Sequence, residues 1–114
     1  MEEHELMQQL QQKLSYLDDA VKQIKSRGSK KAETEQNYRV KLASTIAKLR
    51  ANGESITLAK DMARGTEEVS QAKYEMEVAD AEFRSVLEAI MVLKVQVKVI
   101  ENQIEREWGQ SKRR

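Results

Sequence analysis

Apolar residues recur at alternating three- and four-residue steps through the second half of the chain: Val69, Ala72, Met76, Ala79, Phe83, Val86, Ile90, Leu93, Val97, Ile100 and Ile104. Such spacing draws one stripe along a helix, and five heptads of it make a coiled-coil seam. No Gly or Pro interrupts Thr66 to Trp108, so a single long helix is expected there. Thr66 would cap it, Glu67 and Glu68 would sit in the dipole-favoured first turn, and Gly109 would close it. One stretch, Leu93 to Ile100 (LKVQVKVI), also alternates with a period of two, as a strand does. Helical periodicity on both sides and the lack of a turn residue favour helix there too.

The first half carries a second stripe, Leu10, Leu14, Leu17, Val21 and Ile24, but the same spacing then lands on Gly28, Lys31 and Glu35. Apolar positions return at Tyr38, Leu42, Ile46 and Leu49. Arg27-Gly28-Ser29 is therefore either a weak point in one helix or a break between two. A mid-helix Gly costs only about 1 kcal/mol relative to Ala, so a continuous or kinked helix is the expectation. A true break would fold the first arm back into a three-helix bundle.

Asn52-Gly53 is a helix stop, and Thr57 could cap a short connector helix, Leu58 to Arg64, that ends on Gly65. The predicted fold is all-α: a long antiparallel helical hairpin, coiled-coil-like, forming one domain over residues 1–114. Arm one spans about 3–51, the connector 52–65, arm two 66–109, and a frayed tail 110–114. Matching the arms end to end sets Leu10 against Trp108, Leu49 against Val69, and Gly28 to Glu35 against Phe83 to Ile90.

Charge supports the same topology. The formal net charge of +1 hides alternating blocks: five acids against one base over residues 1–21, then nine bases against two acids over 22–50. Nine acids face four bases over 51–88, and six bases face three acids over 89–114. The antiparallel hairpin sets each acidic block against a basic one.

The polar stretch Gly28 to Glu35 would be a poor cover for the most apolar part of arm two, which Leu87, Met91, Val95 and Val99 widen further. Self-association into a helical bundle, a dimer in the simplest case, is expected through Phe83, Val86, Leu87, Ile90, Met91 and Val97.

Candidate chemistry is sparse. His4 is the sole histidine and there is no cysteine, so thiolate zinc sites and disulfides are excluded. The acids are spread over solvent faces without the close spacing of a calcium loop, and no phosphate loop or nucleophile elbow occurs. No enzyme activity and no cofactor are expected. The acidic start (MEEHE) is unlike a secretory signal, and the most apolar stretch contains Lys94, Gln96 and Lys98, so a cytoplasmic protein away from membranes is expected. The basic block offers Lys22, Lys25, Arg27, Lys30 and Lys31 as candidate nucleic-acid contacts by phosphate neutralisation. The acidic block opposite would neutralise it, and no interleaved aromatics exist for stacking on bases.

Tyr38 to Trp108 resembles a loosely defined group of small helical proteins of phages and prophages of Gram-positive bacteria. The resemblance rests on Leu49-Arg50-Ala51-Asn52-Gly53, on Thr57 to Gly65 (TLAKDMARG), on the Val69 to Ile104 repeat and on Arg106-Glu107-Trp108. It implies a non-enzymatic adaptor or accessory protein acting through protein contacts near DNA replication or recombination, with inhibition of a host protein as another role. It supplies no functional residues. The partner protein is not identified by it.

Overall fold

The computed structural model describes residues 2–109, so the expected frayed tail lies outside the described residues. Three helices follow one another: α1 (Glu3–Ala51), α2 (Ile56–Arg64) and α3 (Glu67–Ile104), with a final π-helical turn over Glu105–Gly109. No strand occurs among the described residues, and the fold is an all-α helical hairpin. The LKVQVKVI stretch lies inside α3. Its Leu93, Val97 and Ile100 take the inward stripe, while Val95 and Val99 point to solvent at 63% and 56% exposure.

α1 runs unbroken through Gly28 for 49 residues. Its end is a Schellman closure: Gly53 takes φ 95°, its N–H donates to the Arg50 carbonyl at 3.0 Å, and the Glu54 N–H donates to the Leu49 carbonyl at 3.2 Å. Only a residue without Cβ enters this left-handed conformation at little cost. The α2 cap differs from expectation. Ser55, not Thr57, accepts from the Leu58 N–H at 3.2 Å, so the helix begins two residues earlier, at Ile56. Ser55 is extended (φ −65°, ψ 158°), as an N-cap must be.

Thr66 joins α2 to α3. Its hydroxyl donates to the Ala63 carbonyl at 2.7 Å and accepts from the Val69 N–H at 3.4 Å, which satisfies groups at the end of one helix and the start of the next. Gly65, beside it, stays right-handed at φ −87°.

Contacts divide the chain into two units: the segment up to Ile24 with that from Arg84 on, and Lys25–Phe83. In the first, Ala20, Val86 and Ile90 form a buried cluster, with Leu17, Ile24 and Leu93 packed against it. The inward face of α1 here is Leu6, Leu10, Lys13, Leu17, Ala20 and Ile24, all buried or half-buried. Leu14 and Val21, expected in the seam, are instead 45% and 48% exposed. The sequence allows both choices because each keeps three- and four-residue steps. A small residue at position 20 fits between the bulky Val86 and Ile90, which interdigitation of large and small side chains favours.

The second unit buries Thr34, Ala59, Ala63, Val69, Ala72 and Ala79. α2 lays its two alanines, both at 0% exposure, into this core. Thr34 is a polar residue in an apolar stripe, but its hydroxyl donates back to the Lys30 and Lys31 carbonyls at 2.9 and 3.0 Å and leaves no orphan group.

The register here corrects the end-to-end pairing. Gly28 stands against Phe83, with a Cβ position 3.4 Å from the ring, whereas Ile90 was expected opposite it. Lys31 stands 3.8 Å from Asp80, where Leu87 was expected. Both differences equal seven residues, one heptad. Every inward position of α3 stays inward under such a shift, so hydrophobic periodicity cannot detect it. Local fit decides: Gly28 leaves room for the chain's one phenylalanine, and the polar stretch after it meets carboxylates instead of Ile90.

Candidate interaction surface

The inward stripe of α3 is the expected one from Val69 to Ile104, each member buried or half-buried. That placement bears on the residues expected to join one chain to another. Val86 and Ile90 are 9% and 7% exposed inside the first unit, and Val97 is half-buried on the same face. Phe83 is half-buried against Gly28 in the second unit. These four are occupied within the chain, so they are corrected from intermolecular to intramolecular seam residues. Leu87 and Met91 remain available, at 39% and 67% exposure.

Around Leu87 and Met91 the outer side of α3 exposes Val92 (54%), Val95 and Val99. Met91, Val92, Val95 and Gln96 line a shallow apolar depression there. On a helix, steps of four carry Leu87, Met91, Val95 and Val99 along one ridge, with Val92 beside it. The ridge faces away from α1, because Val86, Ile90 and Leu93 on the other side hold the α1 contacts. A run of five large exposed apolar side chains on one helix face is more than scattered surface hydrophobicity. Sequence reasoning found Leu87, Met91, Val95 and Val99 as an excess of apolar width but merged them with the seam. Val92 was missed, although its spacing of four from Glu88 and three from Val95 sets it on the outer face.

The five cations expected to contact nucleic acid do not form a free basic patch. Arg27 Nη1 lies 2.8 Å from Glu82 Oε2, and Lys31 Nζ lies 2.7 Å from Glu35 Oε1 and 3.8 Å from Asp80 Oδ1. Lys22 pairs with Asp18 at 2.9 Å. Hydrogen bonding to Glu35 raises the Lys31 pKa above the ordinary lysine value, and hydrogen bonding to Asp18 does the same for Lys22. Lys25 and Lys30 are exposed, and Lys30 borders a shallow groove with Tyr74, Glu75 and Glu82. The acidic block of α3 thus meets the basic block of α1, as the charge pattern predicts. Solvent screens exposed pairs of this kind, so they select a register more than they stabilise the fold.

Among the described residues no cluster of three or more His, Cys, Asp or Glu side chains is arranged to hold a metal ion. No described helix is long and apolar enough to cross a membrane. No family model matches the chain, and no curated protein and no solved structure matches it either.

Proposed function

We propose that the chain is a non-enzymatic interaction protein that works through helix-to-helix contacts, its outer α3 ridge being the docking surface. The observation that carries this reading is the row of Leu87, Met91, Val92, Val95 and Val99, exposed while the inward Val69 to Ile104 stripe of the same helix is covered. Apolar side chains of this size, left in water together, gain about 25 cal/mol for each Å² removed from it, and a second helix is the surface that fits a straight ridge. Self-association is the simplest form of that contact, and an adaptor or accessory role follows if a different protein competes for the ridge. The resemblance of Tyr38 to Trp108 to phage helical proteins supports placing that role near DNA replication or recombination.

Nucleic-acid binding through the basic stretch is the weaker reading, since Arg27, Lys31 and Lys22 already hold carboxylates. Sedimentation equilibrium of the intact chain, against the 13.1 kDa monomer, tests the first reading. A mass rising towards two chains over micromolar concentrations is expected. A chain that stays monomeric up to about millimolar concentration, beyond the range of weak specific association, would end it.

A further inference from the structure

We infer that the outer face of α3 docks onto the same face of a second copy, antiparallel, about a two-fold axis beside residue 93. This rests on the interaction reading above and goes further by assigning the partner, the direction and the register. The face carries a stripe in steps of four and three: Glu88, Met91, Val95 and Lys98, with Leu87, Val92 and Val99 on its flanks. All seven side chains are exposed.

In an isologous contact each residue meets the image of another, so the stripe must complement its own reverse. About position 93 it does. Met91 meets Val95 of the second copy and Glu88 meets Lys98, each contact occurring twice, while Leu87 covers one flank of the seam and Val92 and Val99 the other. The apolar centre is closed at both ends by opposite charges. A parallel arrangement in register would instead set Glu88 on Glu88 and Lys98 on Lys98. Coiled-coil-like packing at a shallow crossing angle brings the charged ends within side-chain reach. Among the described residues neither Glu88 nor Lys98 is held in an ion pair within the chain, whereas Arg27 and Lys31 of the second unit are.

The area argues for a modest affinity. Five apolar side chains between 39% and 67% exposed present roughly 500 Å² per copy, near the lower bound for a specific interface. Such a dimer would form at micromolar concentration and suit exchange with another helical partner.

The test uses the full chain and charge reversal at the two ends of the stripe, read by sedimentation equilibrium at low salt. Glu88→Lys and Lys98→Glu should each weaken the dimer by about tenfold or more, because each turns two attractive contacts into two repulsive ones. The double variant should restore the wild-type constant, since the pairs are then merely exchanged. Glu101→Lys, the same change of charge on the flank nearer α1, should leave dimerisation within about twofold. Circular dichroism should show full helicity in all four, as every changed residue is exposed. A wild-type monomer would overturn both this assignment and the interaction reading. A wild-type dimer whose constant is unmoved by the single reversals, or not restored in the double variant, would overturn this interface alone.

Discussion

Replacing Gly28 by Ala should stabilise the hairpin. Gly28 lies in the middle of a continuous 49-residue helix, where glycine forfeits about 1 kcal/mol to alanine through backbone entropy alone. The opposing term is steric and can be read from the structure. A Cβ at position 28 would sit 3.4 Å from Phe83 Cε2 and 3.9 Å from Cδ2, ordinary van der Waals contacts, so the ring need not move. The methyl would gain dispersion contact on its inner side at about 0.1–0.2 kcal/mol for each atom pair. The expected net is therefore a gain of about 1 kcal/mol, or a rise in Tm of roughly 4 °C for a chain of this length. Urea unfolding followed by circular dichroism at one fixed protein concentration measures it, since dimerisation would shift the midpoint if concentration varied. Gly28→Leu is the matching control: its γ and δ carbons must occupy the ring's space, and overpacking of that kind costs about 1–3 kcal/mol. A loss of stability in Gly28→Ala would refute the reading that the ring tolerates a Cβ, and equal behaviour of Ala and Leu would refute the seat of Phe83 against Gly28 and with it the register.

Two further outcomes follow from the local geometry. Gly53→Ala should destabilise by about 1–2 kcal/mol, because φ 95° forces a Cβ against the backbone even though open space surrounds the site; an unchanged urea midpoint would contradict the Schellman closure. For Lys31, whose pKa is raised in the fold by the hydrogen bond to Glu35, the stabilising contribution is full below the ordinary lysine range and disappears as pH rises through the higher folded value. The difference in urea midpoint between wild type and Lys31→Gln should hence be constant from pH 7 to 9, and shrink only in the alkaline range above the unperturbed lysine pKa of about 10.4; a difference that vanishes near neutrality would break the link.

Much of this architecture was legible in the residues themselves. The α3 stripe from Val69 to Ile104, the stop at Gly53 and the Thr66 cap are local properties: each depends on spacing within a few turns or on the backbone freedom of one residue. Four assignments needed the folded chain. Which residue of α3 stands against Gly28 was settled by Phe83, a residue 55 positions away. Which face of α1 turns inward depended on the bulk of Val86 and Ile90, since Ala20 and Val21 satisfy the same periodicity. The connector cap passed from Thr57 to Ser55, a choice between two adequate hydroxyls that the start of α2 resolved. The division of arm two into covered and free residues depended on all of these, so Phe83, Val86, Ile90 and Val97 could not be told from Leu87 and Met91 beforehand. The reason is common to them. A heptad repeat specifies that helices pair and which stripe they use, but it is unchanged by sliding one helix seven residues along another. Only the contacts that break the repeat select among those slips: a glycine opposite a phenylalanine, Lys31 beside Asp80, Arg27 on Glu82. Such contacts exist only once the two arms lie side by side.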